Sequence, residues 1–212
     1  MLVQICPLCG AVCSLFHQDK RRSYFICAIC SLVHVPKEFH LTDNQEREEY
    51  DKHENSLTDV GYRQFLTRAA EPLLGRLQQK SYGLDFGCGP APMLAKILSE
   101  YGHTVELFDK FYYPNNTILD NRFDFIVTTE VVEHLADPAL ILDTLFNTLK
   151  VGGFLVIMTK RWLDLERFKS WHYKNDPTHI TYFHEKTLQW IANFWRAELE
   201  FVAADVVVLT KK

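Results

Sequence analysis

The sequence predicts an α/β fold, an open sheet flanked by helices, with a small metal-organised module ahead of it. Three observations carry this prediction. Two Cys-x-x-Cys pairs, Cys6 with Cys9 and Cys27 with Cys30, stand near the N-terminus. A short apolar run, a two-glycine turn and a helical pattern follow one another from Tyr82 to Leu98. Beyond them, apolar runs at 103–109, 123–130 and 154–159 are separated by turn or helical patterns, as in a sheet built from strand–helix–strand units. The division is then 1–40 for the metal module, 41–80 for a helical linker and cap, and 81–212 for the α/β domain.

At 212 residues the chain holds one ordinary domain, or one plus a small module. Its 47% apolar content suits a full core. A net charge of −4 provides no global basic field to draw it to nucleic acid or anionic membrane. The first residues lack the basic region and apolar run of a signal peptide, and no apolar stretch approaches the ~18 residues of a spanning helix. A soluble, cytoplasmic protein is expected, and there six cysteines point to metal or free thiols before disulfides.

Seventeen residues separate the two cysteine pairs, a spacing in the range of a four-thiolate zinc site. Each pair on a tight turn offers two sulfurs, and a tetrahedral Zn²⁺ takes Cys6, Cys9, Cys27 and Cys30 together. Four thiolates leave no open position, so such a site is structural; a redox dithiol is the alternative. Gly10 suits the first turn, whereas Ser31 stands where the second ordinarily has glycine. Strands over 12–16 and 23–26 join through a polar turn, and the module looks like a zinc ribbon. At ~35 residues it would draw much of its folding energy from the metal. Cys13 reads as a free thiol on a strand. Lys20, Arg21 and Arg22 read as a solvated hairpin tip, with nucleic-acid contact as the alternative.

Residues 42–50 are polar and acidic, a linker becoming a solvated helix that Thr42 or Asp43 can cap. From Tyr62, the apolar positions Phe65, Leu66, Ala69, Leu73 and Leu77 recur at helical spacing. Pro72 falls inside that pattern and is expected to kink or split the helix.

The stretch from Tyr82 to Leu94 is the organising one. Two glycines, Gly87 and Gly89, let the backbone approach a ligand, and prolines suit the first turn of the helix that follows. A dinucleotide loop is a poor match: its third glycine would fall at Pro92, and Pro90 and Pro92 remove N–H donors that a pyrophosphate needs. The pattern instead resembles Asp/Glu-x-Gly-x-Gly-x-Gly, the first motif of class I S-adenosylmethionine (SAM) methyltransferases. Asp85, Gly87 and Gly89 match, and Ala91 replaces the third glycine. Phe123-Asp124-Phe125-Ile126-Val127 followed by Glu130-Val131-Val132-Glu133-His134-Leu135 resembles the fourth motif, and Gly152-Gly153 before a strand is again similar to the family. Together these cover about residues 50–210.

The resemblance implies a Rossmann-like seven-stranded sheet of order 3-2-1-4-5-7-6 with strand 7 antiparallel, the runs Glu198–Val202 and Asp205–Leu209 forming its last hairpin. It implies SAM contacts from Asp85, Phe86, Gly87, Cys88 and Gly89, from Asp109 to both ribose hydroxyls, and from Lys110, Phe111, Thr129 and Glu130. Phe111 or Tyr112 stacks on adenine, and Asp120 or Asn121 bonds its amino group. Tyr50, His53, Asn55 and Tyr62 are cap residues over the cofactor. The segment after Asp109 is too short for the family's usual helix. Glu130, Glu133 and His134 are expected on one helical face, either for hydrogen bonding beneath the cofactor or, as in some quinone and RNA methyltransferases, for a divalent metal. The helix that Asp137-Pro138 starts should run to Leu149, with Gly152-Gly153 ending it.

The aromatic and basic segment from Lys160 to Pro177 reads as a substrate wall or lid, and its charge points to an anionic group on the acceptor. His179 is the first choice of general base, because an unperturbed imidazole titrates near neutral pH; His172 and Tyr182 are second. The expected activity is methyl transfer from SAM to a small-molecule acceptor by a monomer or homodimer. The alternatives are an RNA or protein methyltransferase that reads its substrate with the ribbon, and a SAM-binding protein without catalysis.

Overall fold

The computed structural model describes residues 3–52 and 55–212. The chain opens with strands β1 (Gln4–Ile5), β2 (Val12–Gln18), β3 (Ser23–Cys27) and β4 (Val33–His34). Helices α1 (Asp43–Tyr50) and α2 (Val60–Leu74) follow. The α/β unit then runs β5 (Tyr82–Phe86), α3 (Met93–Glu100), β6 (Thr104–Phe108), β7 (Phe123–Thr129), α4 (Pro138–Thr148) and β8 (Leu149–Met158). It closes with α5 (Leu165–Ser170), β9 (Thr181–Tyr182), α6 (Glu185–Trp195), β10 (Glu198–Phe201) and β11 (Val206–Thr210).

The main sheet has the order β6-β5-β7-β8-β11-β10. β6, β5, β7 and β8 are parallel, and β11 runs antiparallel to both its neighbours. Side chains alternate between the two faces with period two. Leu155 and Ile157 of β8 pack with Leu142, Leu145 and Ile191 of α4 and α6. Val156 and Met158 of the same strand pack with Leu66, Leu73, Leu94 and Ile97 of α2 and α3. A sheet covered on both faces explains why these strands read as unbroken apolar runs.

Four expectations are corrected. The sheet has six strands among the described residues, not seven: the family's third strand, beyond β6, is missing. Only residues 109–122 separate β6 from β7, and they form a bridge between Asp109 and Tyr113 and a 3₁₀ turn at Asn116–Asp120. A helical crossover and a further strand need more chain than that. Pro72 does not split α2; it lies in the last turn, where its missing N–H costs one bond, and the helix stops two residues later. Gly152 and Gly153 do not end α4, which stops at Thr148; they lie inside β8. A Cβ at Gly153 would stand 2.8 Å from the Lys150 carbonyl oxygen, so the strand needs glycine there. Arg22 is not at a solvated tip, as described below.

The cysteine module is continuous with the rest. β4 pairs with β9, giving a second sheet of order β1-β2-β3-β4-β9 that crosses the expected boundary at residue 40. Tyr24 and Val33 share a core with Phe168, Tyr173 and Tyr182 from the C-terminal half. Thr42 caps α1 through a capping box with Gln45, and Asp59 caps α2. No described helix is long and apolar enough to cross a membrane.

Candidate functional site

The carboxyl ends of β5, β6 and β7 open into a cavity of about 700 Å³. Asp85, Phe86, Gly87, Cys88, Gly89, Asp109, Lys110, Phe111, Thr129, Glu130 and Tyr62 all line it. His179 lines it too; His172 and Tyr182 do not.

The glycine turn is built for close approach. Gly87 has φ +78°, and its N–H donates to the Phe108 carbonyl at 2.7 Å. A Cβ on it would lie 2.3 Å from Val131 Cγ2. Gly89 has φ +62°, and its N–H donates to Asp109 Oδ2 at 3.0 Å. Asp109 Oδ1 accepts from the amides of Phe111 (2.8 Å) and Tyr112 (3.1 Å). One carboxylate thus ties the tips of β5 and β6 together at the cavity wall, with lone pairs left for hydroxyl donors. Asp85 is buried and accepts from the Ala95 amide in the first turn of α3 at 3.2 Å. Burial, and secondarily the charge of Asp109, push its pKa up to about 7. Burial likewise pushes Tyr62 up to about 12, with Asp85 next in effect, so its hydroxyl stays a neutral donor.

The outer wall is held by α1. Lys110 Nζ lies 2.7 Å from Glu46 and 3.1 Å from Asp43, and 4.5 Å from the Phe111 ring centre. The Tyr112 hydroxyl donates to Asp51 at 2.6 Å. Tyr50, Asn55, Phe111 and Tyr112 face the cavity; Asp120 and Asn121 do not. His53 lies outside the described residues.

The floor departs from the expected helical face. Glu130 sits at φ +53°, and a 3₁₀ turn at Val132–His134 follows. Glu133 is fully buried beneath the cavity. It accepts from Thr159 Oγ1 at 3.0 Å and from the Tyr173 hydroxyl. Tyr173 Oη is also 3.2 Å from Glu130 Oε2. Glu130 Oε1 is buried and has no hydrogen-bond partner among the described residues. Burial, followed by the neighbouring Glu133, raises the Glu130 pKa to about 8; burial raises Glu133 to about 7.

His179 is buried and donates Nδ1–H to the Tyr173 carbonyl at 2.7 Å, because a carbonyl only accepts. Its lone pair is therefore on Nε2, which lies 3.8 Å from Asp176 Oδ2. Burial, then the nearby His134, lower its pKa to about 4. The His134 ring centre is 4.7 Å from that of His179 and 5.3 Å from that of Tyr50, and His134 Nδ1 meets the Thr178 carbonyl at 3.2 Å. Ligand atoms of Glu133, His134 and His179 lie within 4.8 Å of one another, close enough for one small cation.

Of the second-choice bases, His172 is exposed outside the cavity. Tyr182 is buried against the cysteine module, and its hydroxyl donates to the His179 carbonyl at 2.8 Å. It positions the His179 segment and does not reach the cavity. The cations of the lid are also elsewhere. Lys174 is buried 2.6 Å from Asp19, Arg161 donates to the Ala203 carbonyl, and Arg167 and Lys169 pair with acids of their own helix. None of these four side chains lines the cavity.

Arg22, which reads as a solvated tip in the sequence, is a buried structural residue. It is 6% exposed. Its guanidinium donates to the carbonyls of Lys174 (2.5 Å), Asp176 (2.8 Å) and Pro177 (3.4 Å), and to the hydroxyls of Tyr182 (2.7 Å) and Tyr24 (3.1 Å). The strand pairing acts alongside it: Val35 N–H donates to the Ile180 carbonyl, and Ile180 N–H to the Glu133 carbonyl, each at 2.8 Å. The cysteine module thereby holds the segment that carries Asp176, Thr178 and His179.

The four cysteines of that module converge. Cys6 and Cys30 sulfurs are 3.5 Å apart, Cys9 and Cys27 3.3 Å, and all four lie within 4.8 Å. The two turns match: Gly10 and Ser31 both have positive φ, and their amides donate to the Cys6 and Cys27 carbonyls at 3.0 Å. Cys13 is buried on β2.

An open α/β sheet with a glycine turn, an acid at the end of the second parallel strand and a cavity across both defines a nucleoside-binding fold of the methyltransferase type. A family model described as a methyltransferase domain matches residues 58–204, and the chain belongs to that family. It is a SAM-dependent methyltransferase. A search of curated proteins gave no match. Among solved structures, a SAM-dependent methyltransferase from Archaeoglobus fulgidus is similar at 20% identity and TM-score 0.50, over 66% of this chain and 72% of that one. A protein from Pyrococcus horikoshii OT3 is similar at 14% identity and TM-score 0.51, over 78% and 99%. At such identities the likeness is one of fold.

Proposed function

We propose that this chain methylates a small polar acceptor held between the glycine turn and the Asp176–Ile180 segment. The observation that carries this reading is the two-sidedness of the cavity. Asp85, Gly87, Gly89 and Asp109 line one part of it; Asp176, Thr178, His179 and His134 line another. SAM supplies an electrophilic methyl on a sulfonium. Asp109 receives the ribose hydroxyls, Tyr62 and Asp85 close the cofactor side, and Tyr50 and Phe111 exclude water from the reacting atoms. His179 Nε2 accepts a hydrogen bond from the acceptor and aims its lone pair, since the Nδ1 bond to Tyr173 fixes the ring. Glu133, Tyr173 and Thr159 act from below as a positioning network.

Cys6, Cys9, Cys27 and Cys30 hold one structural zinc. Zinc–sulfur bonds of ~2.3 Å require sulfurs ~3.8 Å apart, and the observed spacing and donor set fit. The metal supplies cross-linking of two turns, and with it the rigidity of β3 and β4 beneath the lid. The test is formation of S-adenosylhomocysteine from SAM in the presence of a fractionated small-molecule extract, followed by mass spectrometry. A methylated small product that is lost in His179→Ala supports the reading; methylation confined to RNA or protein fractions overturns it.

A further inference from the structure

One wall of the cavity differs from the others in how it is held. The glycine turn is bonded to the end of β6 through Phe108 and Asp109. Tyr62, Phe65 and Leu66 come from α2, which buries Leu66, Ala69, Ala70 and Leu73. The Asp176–Ile180 segment is pinned by Arg22 and by the bond between Val35 and Ile180. The α1 wall is the exception. Asp43, Glu46 and Tyr50 of that helix face the cavity, yet α1 buries no residue. Its contacts are made by side chains at its surface, and their partners cluster at residues 110–112 and His134. Lys110 meets Asp43 and Glu46, and the Tyr112 hydroxyl donates to Asp51, the residue that ends the helix. The Arg47 guanidinium lies 5.9 Å from the Tyr112 ring centre, and the Tyr50 ring lies 5.8 Å from that of Phe111 and 5.3 Å from that of His134. Lys110, Asp43 and Asp51 are exposed, so these charges attract weakly and salt screens them. An element held this way, without an apolar core of its own, opens at a lower free energy than the sheet beneath it. The helix is also internally complete: the Thr42 capping box closes its first turn, and the Asp51 N–H closes its last. It can leave the body without losing its own bonds.

Resting on the methyl-transfer reading above, we propose that α1 is the gate of the cofactor cavity. It lifts as a unit to admit SAM and to release S-adenosylhomocysteine, and the contacts of Lys110 and Tyr112 latch it shut. Opening breaks the two Lys110 ion pairs and the Tyr112–Asp51 bond, and it moves the Tyr50 ring off Phe111 and His134. All of these groups except the Tyr50 ring exchange their partners for water at little cost. The latch is also linked to the cofactor. Asp109 Oδ1 accepts from the amides of Phe111 and Tyr112, so the carboxylate that receives the ribose also fixes the strip on which the gate closes. Bound SAM therefore favours the closed position, which shields the reacting atoms from water.

The test needs no knowledge of the acceptor. Association and dissociation of SAM are followed on the full chain by stopped-flow fluorescence, at about 0.05 M and about 0.5 M NaCl, for the native protein and for Asp51→Ala. Asp51 does not line the cavity, so the substitution loosens the latch without touching the ligand. Both rates are expected to rise by about threefold with salt and again in Asp51→Ala, while the dissociation constant changes by less than either rate. Hydrogen exchange should show the helical amides of α1 exchanging faster than those of α2 in the free protein and slowing when SAM is added. Rates that neither salt nor Asp51→Ala moves overturn the proposal. So does weaker affinity with unchanged association, which would make α1 a fixed wall, or exchange in α1 as slow as in α2 without ligand. Failure of SAM to bind at all overturns the methyl-transfer reading, whereas SAM binding at rates blind to the latch overturns only the gate.

Discussion

Replacing Arg22 by Met keeps the bulk of the side chain and removes its charge and all its donors. In the native protein that guanidinium serves three carbonyls and two hydroxyls in a site from which water is excluded. A hydrogen bond to a charged group is worth about 1.5–3 kcal/mol, and a buried carbonyl left without a donor costs about 1–3 kcal/mol. The bonds share one side chain and do not add, and the native charge had its own desolvation cost. A net loss of about 3–5 kcal/mol is the result. For a chain of this size that corresponds to a fall in melting temperature of roughly 6–20 °C. Thermal unfolding by circular dichroism measures it. Hydrogen exchange at low temperature should show the amides of 174–180 losing protection ahead of the main sheet. Arg22→Lys, with one compact donor group in place of a fork, should recover only part of the loss. A change under about 1 kcal/mol, or lost protection spread evenly over the main sheet, would refute the claim that Arg22 ties the cysteine module to the lid.

Gly87→Ala puts a methyl group into the space of Val131 and forces a left-handed backbone on a residue with a Cβ; a cost of about 2–5 kcal/mol and loss of SAM binding are expected, read by denaturation and calorimetry. Glu133→Gln tests the buried acid: native Glu130 and Glu133 hold protons that the unfolded chain releases above pH ~4.5, so wild-type stability should fall as pH rises from there through about 7–8. The variant should show a shallower fall over the same window, and an unchanged slope would count against the shifted acids. Metal analysis should find one zinc per chain, lost with chelator or in Cys27→Ser together with protection of 174–180; a folded, metal-free module would contradict the zinc assignment.

The parts of the site legible in the sequence are local ones. The glycine turn announces itself because positive φ at Gly87 and Gly89 demands glycine, and Asp109 because a strand ends on it. The cysteine turns are legible from spacing alone. What escaped is non-local. Pairing of β4 with β9 involves two residues on each strand, too few for a period to show. Arg22 reads as a surface charge until the three carbonyls of residues 174, 176 and 177, some 150 positions on, fold over it. The lid's positive charge reads as a substrate site, yet Arg161, Arg167, Lys169 and Lys174 each find an acid or carbonyl away from the cavity. The 109–122 segment is too short for both the helix and the third strand that the family pattern implies. Glu130 falls on a helical spacing with Glu133 and His134, while the chain turns through a left-handed residue in place of a helix.

Whether the cavity at the ends of β5, β6 and β7 holds SAM is tested most directly by isothermal titration calorimetry on the purified full chain. One-to-one binding of SAM is expected, competed by S-adenosylhomocysteine and weakened at least about tenfold in Asp109→Ala, which loses the ribose acceptor and the tie to Gly89. No heat with SAM, or saturable binding of NAD in its place, would contradict it.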